Sequence, residues 1–459
     1  MGFLDTILTN LPEVQGPSQR RLGFKTKLKW TILMLVAFFI LGLIPLYGLG
    51  ANALQQFEFL SIILGASFGS IISLGIGPIV TASIVLQLLQ GSGLVKFDLT
   101  SHEGKARFTG IQKLLSVFFV IFEAIVYVQM GGLSPAAGFS SFVLIFQLFL
   151  GGVLIMFMDE VVSKWGFGSG ISLFIAAGVS QTIFVGMFSW LHPSNNPEAF
   201  AGAVPELIRG ITSGADPTGV YLSLASIIST LAVFAFVVYV NGMKVEIPLS
   251  FGRVRGHGVR WPLSFLYTSN IPVILVAALI ANIQLFARLL EGWVGHATIL
   301  GGFSGNAPVS GLAAWLYFPN IVQQAITGSL TPIHALQAIV YLLIMMGGAI
   351  LFSWFWVQTA GLDAKSQAQK MMESGLQIPG FRKDKRILER MLDRYIMPLT
   401  IMGGATVGLI AGAADLVGAI GSGTGLLLTV MIVYRLYEEI AQQHLMDMNP
   451  MMRKFIAGN

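Results

Sequence analysis

Apolar residues come along this chain in ten long runs, centred on residues 31–50, 75–92, 114–131, 139–158, 170–190, 220–241, 266–287, 336–357, 397–414 and 420–437. A helix crossing the hydrocarbon core of a bilayer needs about 20 such residues, so the pattern predicts about ten membrane-spanning helices. One place breaks the pattern. The second run opens "GIGPIVTASI" at Gly75, with Gly75, Gly77 and Pro78 in its first turn. In a helix interior glycine and proline are about 1 and 3 kcal/mol worse than alanine. The stretch before it, "ANALQQFEFLSIILGASFGSIIS" from Ala51, is semi-apolar, carries no Lys or Arg, and competes for the role of an eleventh span.

Charge decides against the eleventh span. Basic residues collect in cytoplasmic connections. With the N-terminus inside and ten spans, 25 of the 27 Lys and Arg fall in the inner segments: the N-terminal tail, 96–113, 159–169, 243–265, 358–396 and the chain after 434. Only Arg209 and Arg288 remain outside. An eleventh span would invert every later loop. Residues 51–74 are therefore expected to enter from the outer side and return, or to lie against the protein there. Broken backbone at membrane depth survives only where it is buried in protein or lines a cavity, so 75–78 marks the start of a half-depth helix facing a cavity. A helix merely kinked by its proline fits the same glycines. The first 29 residues, with Arg20, Arg21, Lys25, Lys27 and Lys29 ahead of a long run, read as a tail leading into an uncleaved span and not as a signal peptide.

The fifth run opens "GFGSGISLFIAAG" at Gly166, and the tenth has "AIGSGTGLLLTV" at Ala419; the second and seventh correspond through "GIGPIVTASI" and "TSNIPVILVAAL" at Thr268. Both pairs lie five helices apart, so the partners cross the membrane in opposite directions. Such spacing predicts an inverted repeat of five plus five helices with the working site between the halves. Branched aliphatic residues recur at these four helix starts. Ile76 and Val80, and Ile171 and Ile175, are spaced i, i+4 on one face; Ile274 follows Pro272, and Leu428 follows the 421–425 run. Together they predict a central apolar constriction that blocks ions by excluding water.

Composition narrows the function. Charged residues make up 11% of the chain, against about 25% in a soluble domain. With no cysteine, thiol catalysis, disulfides and thiolate metal sites are excluded. The six histidines (His102, His192, His257, His296, His334, His444) are expected in connections or tails; Asp159, Glu160 and Asp415 are expected at span ends, leaving Glu123 well inside a run. Ion-coupled transport places ionisable groups at mid-membrane, and hydrolytic chemistry needs motifs such as HExxH or a GxxxxGK[ST] loop that the sequence does not contain. The helix starts surround neither an ion site nor a catalytic centre.

With these features in place, the chain resembles the SecY family of protein-translocation channels, the archaeal form most closely, with the alpha subunit of the eukaryotic endoplasmic-reticulum translocon a more distant relative. The resemblance covers nearly the whole length and rests on "LGIGPIVTASIVLQLL", "DEVVSKWGFGSGISLFIAAGVSQTIFVG", "VEIPLSFGRVRG", "SNIPVILVAALIANIQL", "GLDAKSQAQ" and "GAIGSGTGLLLTV" in one order. It implies an all-α polytopic membrane protein whose ten transmembrane helices form two inverted five-helix halves, a clamshell around a central pore with a plug helix. The family's pore ring falls on Ile76, Val80, Ile171, Ile175, Ile274 and Leu428, its plug on about 53–70, and the polar cluster of its lateral gate on Thr81, Glu123 and Asn282.

The resemblance also gives roles to two basic connections. "FGRVRGHGVR" carries Arg253, Arg255 and Arg260; "GFRKDKRILERMLDRY" carries Arg382, Lys383, Lys385 and Arg386 ahead of an amphipathic turn with Ile387, Met391 and Tyr395 on one face. In the family these loops dock the ribosome, where phosphates favour Arg and Lys. Arg253, Arg255, Arg382 and Lys383 are assigned to that contact. The expected organisation is a cytoplasmic tail (1–30), a first half (31–218), a second half with cytoplasmic loops 243–265 and 358–396 (219–440), and a cytoplasmic C-terminal tail (441–459), in a multi-pass protein of the cell membrane. The implied function is a passive channel subunit, not an enzyme, needing no cofactor or metal. It would translocate unfolded secretory polypeptides, recognise signal sequences, release membrane spans into lipid and work with SecE-like and Sec-beta-like subunits. A secondary transporter of a small solute, also built on inverted repeats, is the rival. The outer connection "GWVGHATILGGFSGNAPVSGLAAWLYFPNIVQQAITGSLTP" fits no motif.

Overall fold

Each of the ten apolar runs becomes a helix in the computed structural model, which describes residues 11–18, 22–54, 61, 63–95, 97, 101–192, 199–213, 217–251, 258–305, 307–373, 376–377 and 385–448. The ten are α1 (Phe24–Leu43), α2 (Gly77–Gly91), α3 (His102–Gln129), α4 (Ser141–Trp165), α5 (Gly170–Phe188), α6 (Pro217–Asn241), α7 (Ile271–Val294), α8 (Pro332–Thr359), α9 (Lys385–Val417) and α10 (Gly423–Met448). Several run past the hydrophobic segment that announced them: α3 begins at His102 and α9 at Lys385, ahead of their apolar runs, and α10 continues to Met448. Of the histidines expected in connections or tails, His102, His334 and His444 are therefore carried on helix ends. One helix ends well before its run does. The first run was expected to reach residue 50, but α1 stops at Leu43, because Pro45 disfavours helical backbone at Ile44, which is extended (φ −84°, ψ 107°).

Beyond α1 the chain forms β1 (Leu49–Asn52), antiparallel to β2 (Leu133–Pro135) after α3. This pair, the helix Ala203–Ser213 and the α7–α8 connection lie at one end of the bundle, the far face. The connection that fitted no motif holds the hairpin of β3 (Gly302–Ser304) and β4 (Ala307–Ser310) and two short helices, Gly311–Trp315 and Ile321–Thr327. It is tied down by Gln284, whose Nε2 donates to Leu316 O (2.9 Å), and by Gln337, whose Nε2 donates to Tyr317 O (3.3 Å).

At the opposite end, the basic face, Lys244–Phe251 pairs antiparallel with Gly258–Ser264 and with Leu376–Gln377 to form a three-stranded sheet. Ile247 and Leu263 from this sheet pack with Leu388, Leu392 and Ile396 of α9. The inward face of early α9 is thus offset by one position from the expected Ile387, Met391 and Tyr395: Ile387 is exposed, while Met391 and Tyr395 only flank the cluster. A helix turns 100° per residue, so a one-place error selects the neighbouring stripe. Here too the N-terminal residues 13–15 cross the ends of α3 and α4. Val14 N donates to Glu160 Oε2 (2.9 Å) and Trp165 Nε1 to Gln15 O (2.9 Å), and Glu160 is paired with Lys113.

The largest core cluster lies at the centre of the bundle, where α2, α5, α7 and α10 meet. A second packs Val120, Ala124 and Tyr127 of α3 against Ala277, Ala281 and Leu285 of α7. Ile63, Leu64 and Leu74 join it, so the stretch before α2 is folded into the protein.

Candidate functional site

The backbone at 75–78 explains the weakened helix start. Gly75 is left-handed (φ +55°), Ile76 caps α2, and Pro78 sits in the first turn, where a missing N–H costs nothing. The turn brings Ile76 N onto Leu64 O (2.8 Å), and a Cβ at Gly75 would lie 2.2 Å from the same oxygen. Residues 63–75 double back and seat Gly65 against the Ile76 side chain and Phe174 of α5.

Helix α7 starts the same way. Ser269 is left-handed (φ +58°), Asn270 caps the helix, and Pro272 occupies the first turn. The register makes Val80 equivalent to Ile274 and Ile76 equivalent to Asn270. Helices α5 and α10 start at Gly170 and Gly423 after left-handed Gly168 and Ser422. Their register makes Ile175 equivalent to Leu428 and Ile171 to Thr424. Of eight repeat-related positions, six are the branched aliphatics named from the sequence; the other two, Asn270 and Thr424, are polar.

Those six side chains meet in the central cluster. Ile76, Val80, Ile175, Ile274 and Leu428 are each 5% exposed or less, and Ile171 is half-buried against them. A cavity lies on either side. The one toward the basic face, about 810 Å³, is floored by Val80, Ile171 and Ile274. The one toward the far face, about 980 Å³, is lined by Gly65, Ile72, Thr182, Asn320 and Asp415 among others. They share no lining residue, and the aliphatic neck divides them. Such an arrangement gives a polypeptide room to enter from either side while excluding water at the middle.

Thr81, Glu123 and Asn282, on α2, α3 and α7, also come together. Asn282 Nδ2 donates to Thr81 Oγ1 (2.9 Å), whose hydroxyl faces Gly77 O (2.8 Å) and Glu123 Oε1 (3.2 Å). Glu123 is 1% exposed; its Oε2 and Asn282 Oδ1 have no partner among the described residues. The three groups close the seam between the two halves with polar contacts, and the α3–α7 apolar cluster seals it on the far side. Arg253, Arg255, Arg382 and Lys383 lie outside the described residues, as do 55–60 and residue 62 of the stretch expected to form the plug.

Sequence reasoning missed what holds the helix starts. Asp159 and Asp415, expected as ordinary span-end carboxylates, accept hydrogen bonds from the N–H groups of Ile171 (2.9 Å) and Thr424 (2.8 Å). The signal was present in the sequence as one aspartate before each Gly-Ser-Gly turn, 12 and 9 residues ahead of the N–H it meets.

Comparison with known proteins agrees with this geometry. The SecY family model matches residues 70–437, and a model described as the plug domain of Sec61p matches residues 36–69. A protein translocase subunit SecY from Methanothermobacter thermautotrophicus is 47% identical over 456 residues, covering 98% of both chains. Its counterpart from Methanocaldococcus jannaschii is 44% identical, covering 99% of this chain and 100% of its own. Among solved structures, one described as "The structure of a protein conducting channel" has a TM-score of 0.84 at 42% identity, covering 98% of this chain and 99% of that one. Sec61 in the canine ribosome-channel complex has a TM-score of 0.81 at 41% identity, with the same coverage. These relatives align end to end, through both halves of the repeat and across the neck, which leaves no room for the small-solute transporter: the chain belongs to the SecY family of protein translocase subunits.

Proposed function

We propose that an unfolded polypeptide crosses this protein from one cavity to the other through a ring formed by Ile76, Val80, Ile171, Ile175, Ile274 and Leu428. The observation that carries this reading is the aliphatic neck between two separate cavities, built from repeat-related helix starts. Branched side chains repel water when the pore is empty and yield around residues of many shapes when it is not. The segment before Gly75, about 53–70, acts as the plug on the far side. The halves are 31–218 and 219–440, and the basic face is cytoplasmic, as the loop charges favour. The protein spans the cell membrane with both termini inside, works with SecE-like and Sec-beta-like subunits, and receives chains from the ribosome. One solved relative is a ribosome-channel complex, and Arg253, Arg255, Arg382 and Lys383 supply the basic contact here.

Photocrosslinking tests the ring. With probes at Val80 and Ile274, and ribosomes stalled on a secretory nascent chain in reconstituted membranes, both positions are expected to crosslink the same chain. Docked ribosomes with neither crosslink would remove the ring from the path.

Thr81, Glu123 and Asn282 form the lateral gate through which signal sequences reach lipid. Polar contacts between membrane helices contribute about 0.6–2 kcal/mol each. Thr81→Val breaks the relay and leaves Asn282 Nδ2 unpaired, so the closed gate is expected to weaken about threefold to thirtyfold. The readout is the minimum hydrophobicity of a signal sequence that still drives translocation, expected to fall. An unchanged threshold would separate these residues from gating.

A further inference from the structure

We infer that Asp159 and Asp415 are a pair of repeat-related positioning residues: each clamps the start of one ring-bearing helix, and Asp415 also links that clamp to α8, the helix packed along α7, which carries Asn282 of the gate. The inference rests on the ring reading above and goes beyond it by naming what fixes the ring's depth.

Both carboxylates sit near the end of one helix and grip the beginning of the next. Asp159 of α4 accepts from Ile171 N (2.9 Å), so its partner is itself a ring residue. Asp415 of α9 accepts through Oδ1 from Thr424 N (2.8 Å), the position equivalent to Ile171. Small residues make the approach possible: a Cβ at Gly170 would lie 2.5 Å from Asp159 Cα, and one at Gly423 only 2.0 Å from the carbonyl carbon of Ala414. A negative charge at a helix N-terminus is favoured by the free N–H groups and the helix dipole, and hydrogen bonds to an ionised group are about twice as strong as neutral ones. In each half the next ring residue, Ile175 or Leu428, lies one turn further on, about 6 Å along the axis. Because the repeat is inverted, the two clamps act from opposite faces. The loop before α5 lines the basic-face cavity and the loop before α10 lines the far-face cavity. The ring is thereby held from both sides.

The two clamps differ in one respect. Asp415 is 1% exposed, its Oδ2 accepts from Tyr341 Oη of α8 (2.8 Å) and from Thr424 Oγ1, and Tyr341 is fully enclosed. Helix α8 also contacts α2 across the seam. Movement of α8 when the gate opens therefore pulls on the group that sets the depth of Leu428. Asp159 has no such link to the gate helices among its described hydrogen bonds, so the coupling runs through the second half.

The test is resting ion conductance of the complete channel with its small subunits, in planar bilayers without substrate. Asp159→Ala and Asp415→Ala are each expected to raise conductance about tenfold, because each releases a charge-assisted hydrogen bond at a ring helix. Asp159→Asn keeps an oxygen facing Ile171 N and should stay near the wild-type level. Tyr341→Phe, which removes the hydroxyl that donates to Asp415 and leaves the carboxylate in place, should rise about threefold and carries the far-face arm if Asp415→Ala does not purify as a monodisperse complex. Leu428→Ala serves as the ring control and Thr400→Val, a buried change in α9 away from the ring, as the packing control. If Leu428→Ala leaks while the aspartate and Tyr341 variants do not, the clamp is overturned and the ring stands. If Leu428→Ala is silent too, the ring reading fails first. Leakage from Thr400→Val equal to that of the aspartate variants would reduce the clamps to general packing and also overturn the proposal.

Discussion

Asparagine in place of Ile175 or Leu428 is expected to turn a sealed resting channel into an ion leak about fivefold to a hundredfold above the wild type. Both side chains are almost fully enclosed and belong to the central apolar cluster of the neck. Closing around an amide there leaves its donors and acceptor without partners. That costs about 1–3 kcal/mol, and each 1.4 kcal/mol moves the balance between dry and wet necks about tenfold. Shape is a weaker lever: Ile274→Leu conserves volume and keeps the neck apolar, and its conductance should stay below that of either asparagine variant, since volume-conserving apolar swaps usually cost less than about 1.5 kcal/mol. The cysteine-free sequence permits a second readout. A single cysteine at Ile274, buried in the resting neck, should react with a water-soluble thiol reagent faster in the Leu428→Asn background than alone. Equal conductance and equal labelling in both backgrounds would mean that the seal lies elsewhere.

How far this site could be read from the sequence follows from what hydropathy measures. It reports the share of each helix that meets lipid or protein interior, so all ten spans were visible, and the charge of the loops separated them from the re-entrant stretch. It does not report where a helix protrudes from the bilayer, which is why α3, α9 and α10 outrun their apolar segments. The strand Lys244–Phe251 does alternate, with Val245, Ile247, Leu249 and Phe251 at every second place, but eight residues between two spans go unseen by a reading set to runs of membrane-helix length. The helix Ala203–Ser213 was hidden because 11 residues are too few to register as a span. The proposed ring positions emerged from i, i+4 spacing together with the family resemblance, and the proposed gate positions from the resemblance alone. The aspartate clamps did not, since a carboxylate near a helix end looks the same whether it faces solvent or the next helix. The repeat was the missing clue. Once Gly170 is aligned with Gly423, an aspartate precedes both, and chance placement becomes a poor account of the pair.

The same logic makes Gly75 the position where one methyl group should do the most damage. Gly75→Ala must hold a left-handed backbone at a cost of about 1–2 kcal/mol. Its Cβ would also fall 2.2 Å from Leu64 O, so the bond from Ile76 N to that oxygen must open, for about 1–3 kcal/mol more. The helix need not unfold to relieve this clash. Residues 64–69 are turn and loop, ahead of the bridge that ties Ser70 to Pro45, so the cheaper relief is for this stretch covering the neck to lift away, taking Gly65 off Ile76. The expected result is a channel that folds and inserts but conducts at rest, with a cysteine at Ser67, half-buried at rest, more reactive from the far side than in the Gly75 background. Gly93→Ala isolates the backbone contribution: that glycine is also left-handed (φ +76°), but a Cβ there meets nothing within 4 Å. It should lose some stability and gain no leak. Were both alanine variants to leak equally, strain anywhere in the chain would open the pore, and the turn at Gly75 would lose its claim to seat the plug. If only Gly75→Ala leaks, the glycine that weakens the start of α2 is there because the plug's carbonyl occupies the space a side chain would need.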